Sequence, residues 1–208
     1  MPVTIFSIPV QHVYYALNQR GRHKYGTLDN LLDKPFFNCE VGTPYGYQNI
    51  PTIRQSSFRK SKIIFSNQNE LNQIILDKLK DISPEFMHNS LLFDINSYYK
   101  VLKYQEGQFF KEHIDKVNNN RHYGTLLIFP PAQDKNQHTG GKMLLEEQIE
   151  FNSSNNLEWK VVAFTTYSKH QIEKITSGQR IVFKTELFYS RSFGLPQHDF
   201  PEEPMVCD

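Results

Sequence analysis

The sequence predicts a mainly β protein, an antiparallel sandwich or barrel behind a helical N-terminal flank, so an α+β chain overall. Three observations predict it. After residue 90, short apolar and aromatic runs recur with turn residues between them and no helical period intervenes. Before residue 90 the pattern is mixed and holds one clear amphipathic helix. Aromatic residues make up 13% of the chain, with 16 Phe and 11 Tyr, so the core leans on rings more than on Leu and Ala.

Along the chain, Val13, Tyr14 and Leu17, stopped by Gly21, predict a weak helix. Thr27 is placed to cap a short helix that holds Leu28, Leu31 and Leu32. The Gly-, Pro- and Tyr-rich stretch from Val41 to Thr52 reads as loop. Asn67 with Glu70 three residues on makes a start resembling a capping box, and Leu71, Ile74, Ile75 and Leu79 then share one helical face. Pro84 lies beyond that helix. Strands are expected over 91–95, 98–104, 108–114, 124–129, 142–147, 159–167 and 180–189. The separators are Glu106-Gly107, Asn118–Asn120, Gln133–Gly141, Asn152–Asn156 and Ser177-Gly178. The expected organisation is one structural domain: a helical and loop flank over 1–90, a β-core over 91–190 and a tail over 191–208.

Length and charge exclude several classes. A chain of 208 residues has room for one core of ordinary size. The 23 Lys and Arg against 22 Asp and Glu leave a net charge of +1, which argues against a polybasic nucleic-acid binder and an acidic tail protein. The two cysteines, Cys39 and Cys207, exclude a disulfide scaffold and a cysteine-based zinc module, and fit a reducing compartment. Residues 2–19 carry no formal charge, yet they lack a basic leader, and Pro2, Pro9, Gln11, His12 and Asn18 break any apolar run. No stretch is apolar for the length of a membrane span. The expectation is a soluble intracellular, cytoplasmic protein without a membrane partner.

The chemistry-bearing residues lie in the β region. His113 and Asp115 are two apart, so on a strand they share a face and can hold one ion; taken alone they are also an ordinary polar face. His170 is one of eight histidines (His12, His23, His88, His113, His122, His138, His170 and His198), and follows the apolar run from Trp159 to Tyr167. Arg180 follows the Thr176-Ser177-Gly178 sequence and opens the run from Ile181 to Tyr189. A guanidinium turned inward there is costly unless it meets an anion; turned outward it is a surface residue. Together, two histidines and a carboxylate make the facial triad of non-haem Fe(II) oxygenases, with an α-keto acid and dioxygen in the open positions. Arg180 is then placed to take the far carboxylate of a dicarboxylic keto acid.

Five pieces in order carry a resemblance: Tyr104 to Asp115 (YQEGQFFKEHID), Tyr123 to Pro130 (YGTLLIFP), His138 to Met143 (HTGGKM), Trp159, and Ala163 to Arg180 (AFTTYSKHQIEKITSGQR). They span about 85 residues and are similar to the catalytic domain of the 2-oxoglutarate- and Fe(II)-dependent dioxygenase superfamily, in its prolyl 4-hydroxylase-like branch. The resemblance implies a double-stranded β-helix, the cupin-like jelly roll. It implies His113, Asp115 and His170 as the catalytic iron ligands, Arg180 on the distal carboxylate of 2-oxoglutarate, and Tyr104 reaching the same co-substrate. Gly140-Gly141 would be a structural turn, and Trp159 and Phe164 core residues. Three positions depart from the family pattern: Phe129 lacks a tyrosine hydroxyl, Val182 stands where Ser or Thr is common, and Gln171 where Glu is usual. The first two leave Arg180 a larger share of co-substrate binding.

The implied activity is hydroxylation of a C–H bond, coupled to decarboxylation of 2-oxoglutarate to succinate, with O2 as co-substrate and ascorbate keeping iron ferrous. The branch points to a protein or peptide substrate. Nucleic acid remains the alternative, as the substrate of an oxygenase or demethylase of the same superfamily. Such enzymes usually carry a second arginine soon after the first, whereas none falls between Arg180 and Arg191 here. A non-catalytic β-barrel binding module is the third reading. Specificity is expected in 41–65, read as a lid that contains the basic run Arg54–Lys60, and in the loop 130–139.

Overall fold

The computed structural model describes residues 3–10, 13–19, 22–26, 37–39, 56–65, 68–82, 91–93, 99–115, 117, 121–133 and 136–189. Before residue 90 the strands are β1 (Thr4–Ile8), β2 (Val13–Gln19), β3 (Arg22–Gly26), β4 (Phe37–Cys39) and β5 (Ser56–Phe65), followed by the helix α1 (Gln68–Ile82). Then come β6 (Leu91–Phe93), β7 (Tyr99–Gln105), β8 (Phe110–His113), β9 (His122–Phe129) and β10 (His138–Gly140). The chain continues with β11 (Met143–Leu145), β12 (Ile149–Phe151), β13 (Trp159–Thr165), β14 (His170–Ile172) and β15 (Ile175–Tyr189).

Two antiparallel sheets form. The small one runs β12-β11-β14-β8, and the large one runs β1-β13-β9-β15-β7-β5-β2-β3, with β6 and β10 added on β15 and β4 on β5. The order identifies the fold. Number β7, β8, β9, β11, β12, β13, β14 and β15 from 1 to 8: the large sheet then reads 6-3-8-1 and the small sheet 5-4-7-2. This interleaving of eight strands is the jelly roll, or double-stranded β-helix.

Packing explains which strands were readable from sequence. Leu127 and Phe129 of β9, Val162 and Phe164 of β13, and Val182 of β15 pack with Met143, Leu145, Phe151 and Ile172 of the small sheet. The alternate residues Leu126, Ile128, Val161, Ala163, Ile181 and Phe183 face the other way, and pack with Leu71, Ile75 and Leu79 of α1. Strands buried on both faces lose the polar alternation and read as continuous apolar runs. On α1, Leu71, Ile75 and Leu79 repeat every fourth residue and are buried, as the helical period requires.

Several elements differ from expectation. Val13–Gln19 is a strand paired with β3 and β5, not a weak helix. Its Val-Tyr-Tyr start favours a pleated surface, and Gly21 falls between two paired strands. Residues 1–90 therefore contribute five strands besides the one helix among their described residues. Residues 56–65 are a strand laddered to β7, so this part of the expected lid belongs to the large sheet. Ser177-Gly178 is not a turn: it lies within β15, which starts at Ile175, and pairs with β10. The three-residue strands β10, β12 and β14 are too short to show a period. The expected helix at 27–32, the loop at 41–52 and Asn67 lie outside the described residues.

One buried side chain fastens the loop after β9 to β15. Asn136 donates from Nδ2 to the carbonyls of Pro130 (3.1 Å) and Pro131 (2.9 Å), and its Oδ1 accepts from the Ile181 N–H at 2.7 Å. Asn136→Ala leaves the buried Ile181 N–H without its acceptor, which costs roughly 2–3 kcal/mol. A thermal melt should therefore fall by roughly 4–10 °C. A melt within about 1 °C of the parent would mean that another group satisfies that N–H.

Candidate functional site

The site lies where β8 and β14 meet at one end of the small sheet. His113 ends β8, His170 opens β14, and the two residues are direct cross-strand partners. Their ring centroids are 4.1 Å apart. Each ring is oriented by a backbone carbonyl two residues earlier: Nδ1–H of His113 donates to Lys111 O at 2.8 Å, and Nδ1–H of His170 to Ser168 O at 2.9 Å. An N–H spent on a carbonyl leaves Nε2 with a lone pair. Both Nε2 atoms turn to Asp115, two residues beyond β8, at 3.7 Å and 3.8 Å from its Oδ1.

One donor atom from each of the three residues lies within 4.8 Å of the other two. His113 Nε2 is buried and has no hydrogen-bond partner among the described residues, so a lone pair is aimed into the gap. Two imidazole nitrogens and a carboxylate oxygen converging on one point suit a divalent first-row metal. The chemistry of the donors and the orphaned nitrogen both fit such an ion.

The other strands of the barrel complete the surroundings of Asp115. Thr125 of β9 donates its hydroxyl to Oδ2. Lys184 of β15 places Nζ 2.8 Å from both carboxylate oxygens. Burial on its own would raise the Asp115 carboxyl, but His113, Lys184 and His170 outweigh it and hold the group well below the ordinary carboxylate range. Burial, with His113 close by, lowers His170 to about 4.

Arg180 lies on β15 four residues before Lys184 and on the same face, roughly 13 Å along the strand. It is only 1% exposed. Its Nη1 donates to Gly141 O at 3.0 Å, while Nε is buried without a hydrogen-bond partner among the described residues. The guanidinium carbon lies 4.9 Å from the Phe129 ring centroid and 5.6 Å from that of Tyr104. Burial lowers Arg180 to about 10, with Tyr104 opposing, so it is still charged at neutral pH. Among the described residues no carboxylate forms an ion pair with it. Gly141 has a φ of 69°, and a Cβ there would collide with the Ile175 side chain, so only glycine brings this carbonyl to Arg180.

The sequence-predicted residues divide as follows. His113, Asp115 and His170 come together. Arg180 faces inward with Tyr104 beside it, and Phe129 and Val182 line the same interior without polar atoms. Phe164 is buried 4.6 Å from the His170 ring, and Trp159 stacks on Phe183 at 6.0 Å. Residues 41–55, with the start of the basic run, lie outside the described residues. Sequence reasoning missed Thr125 and Lys184. A lysine four places after Arg180 in an apolar strand was the available signal, because even spacing puts both on one face.

No family model and no curated protein matches the chain. Solved structures do. A prolyl hydroxylase from Trichoplax adhaerens, in complex with a hypoxia inducible factor peptide fragment, is 16% identical, with a TM-score of 0.46 over 78% of this chain and 73% of that one. The viral collagen prolyl hydroxylase of Paramecium Bursaria Chlorella virus-1 is 15% identical, with a TM-score of 0.42 over 65% and 80%. A 2OG-Fe(II) oxygenase family protein from Burkholderia pseudomallei is 11% identical, with a TM-score of 0.44 over 64% and 68%.

His138 gives the site's neighbourhood a pH signature. Burial, followed by the charge of Arg180, lowers it from 6.5 to about 4. The unfolded chain takes up a proton as pH falls through 6.5, and the folded chain does not until about 4. The stabilisation is therefore full above pH 6.5 and is lost as pH falls towards 4. From pH 7 to pH 5 the loss from this group is roughly 2 kcal/mol. In urea melts His138→Gln should lose less stability over that range than the parent; equal losses would assign the acid sensitivity to other groups.

Proposed function

We propose that the protein is an Fe(II)- and 2-oxoglutarate-dependent dioxygenase that hydroxylates a C–H bond of a polypeptide side chain. One observation carries the reading. A single jelly roll brings a His-Asp-His donor set and a buried guanidinium, without a carboxylate partner among the described residues, to its interior, the latter on the strand whose lysine touches the triad. A lone donor set fits many metals, and a lone buried arginine fits many anions. Their pairing fits a metal-bound keto acid with a second carboxylate at its far end.

His113, Asp115 and His170 would hold the metal, and Arg180 the distal carboxylate. Fe(II) and 2-oxoglutarate supply dioxygen activation, with oxidative decarboxylation of the keto acid and hydroxylation of the substrate. The protein's own residues do the rest. The Lys111 and Ser168 carbonyls fix which imidazole nitrogen faces the metal. Phe129, Tyr104 and Val182 keep water from Arg180, which strengthens its pairing with a carboxylate. The Nε–H left free on Arg180 and the Nη groups beyond Gly141 supply the donors.

The polypeptide substrate is supported by the motifs shared with the prolyl 4-hydroxylase-like branch.

The test is succinate release from 2-oxoglutarate with Fe(II) and ascorbate, followed by a mass-spectrometric search for a gain of one oxygen on peptides and on oligonucleotides. His113→Ala and His170→Ala should abolish succinate release. Arg180→Leu should raise the apparent KM for 2-oxoglutarate about a hundredfold or more, since removing one partner of a buried charge pair costs ~3–5 kcal/mol. Oxygen gained only on oligonucleotides would overturn the polypeptide substrate. No succinate under any of these conditions would leave a binding module.

A further inference from the structure

We propose that Lys184 is a positioning residue of the metal centre, an internal cation that holds Asp115 in the metal-free protein and weakens the binding of a divalent metal. The inference rests on the metal-centre reading above. Its starting point is the geometry around one oxygen. Oδ1 of Asp115 faces the two imidazoles, at 3.7 Å and 3.8 Å from their Nε2 atoms, and the Lys184 ammonium sits 2.8 Å from the same oxygen. Oδ2 is taken by Thr125 and again by Lys184. A metal between the imidazoles would therefore meet one carboxylate oxygen already shared with an ammonium.

Two consequences follow from Coulomb's law. Without a metal, a carboxylate oxygen and two nitrogen lone pairs point at the same gap and repel each other. Lys184 offsets that repulsion, so the triad assembles on folding rather than on metal uptake. With a metal, a dication and an ammonium compete for one carboxylate at close range. Their repulsion is poorly screened, because the Asp115 and Lys184 side chains are only 10% and 20% exposed. Lys184 cannot retreat by moving its backbone, since β15 is laddered to β7 at Lys100 and to β9 at Leu127. Thr125, a neutral donor, orients Asp115 without such competition.

The experiment uses the full chain and Mn(II) as the probe, with free Mn(II) read by electron paramagnetic resonance and folding read by thermal melts. Lys184→Met should bind Mn(II) at least about tenfold more tightly than the parent, while Lys184→Arg, which keeps the charge, stays within about threefold. The metal-free melt of Lys184→Met should fall by about 5 °C or more, and saturating Mn(II) should raise it by more than it raises the parent. Mn(II) binding by Lys184→Met no tighter than by the parent overturns the proposal. So does a gain in Lys184→Arg as large as in Lys184→Met. If Lys184→Met does not fold without metal, Lys184→Gln is prepared in Mn(II) and challenged with chelator. Slower metal loss than from the parent supports the proposal, and equal or faster loss overturns it. His170→Ala separates the two claims. Lost Mn(II) binding there, with unchanged affinity in Lys184→Met, sinks only the role of Lys184. Unchanged binding in His170→Ala sinks the metal centre itself.

Discussion

The ion pair between Lys184 and Asp115 joins the two sheets at the place where chemistry would occur. His113 and His170 belong to strands of the small sheet, and Lys184 and Thr125 to adjacent strands of the large one. Asp115 lies just past the end of β8, where no sheet ladder fixes it. Its position therefore depends on side-chain contacts from the opposite sheet. A jelly roll suits this arrangement, because β7, β8 and β9 alternate between the sheets and the loop after β8 has to cross towards β9. Two histidines on laddered neighbours give a rigid pair, and the carboxylate reached across the barrel closes the set.

Charge accounts for the rest of the interior. Lys184 and Arg180 project from the same face of β15, yet Asp115 is the carboxylate that Lys184 engages, and Arg180 has aromatic neighbours and a backbone carbonyl instead. Asp115, Lys184 and Arg180 together carry +1. A divalent metal would raise this to +3, which a dianionic keto acid brings back to +1. An excess of positive charge in a partly buried barrel favours entry of an anion over a neutral ligand. Phe129 and Val182 add no hydrogen-bond donors, so recognition of such an anion would fall on the guanidinium, with Tyr104 beside it, and the guanidinium fork suits a carboxylate.

The half of the molecule that carries the candidate site was legible in sequence because two kinds of signal coincide there. β9, β13 and β15 are buried on both faces, so their apolar runs stand out, and Arg180 lies on one of them; His113, Asp115 and His170 lie on or beside the short strands β8 and β14 and were read from the order and spacing of the motifs. Helix α1 was readable from its period of Leu71, Ile75 and Leu79. Strand β2 was not, since three apolar positions in Val13–Leu17 suit either period until a partner strand is known. Lys184 was missed for a related reason. Its face follows from that of Arg180 four residues earlier, and on sequence alone that guanidinium reads as inward or outward. Thr125 is a common strand residue whose role exists only through a contact ten residues away in sequence.

The position of β5 bears on the expected lid. A lid works by hinge residues that absorb a backbone change. Residues 57–61 are instead paired with 99–103 of β7, and 62–65 with 13–16 of β2, so that backbone is held by ladders on both sides. The large sheet thus continues beyond β7 through β5, β2 and β3, whereas the small sheet ends at β8, the strand that carries His113. The two sheets are unequal on the side where the triad lies, and the longer one projects past the shorter. A contact made by 56–65 would then be set by strand register rather than by opening and closing.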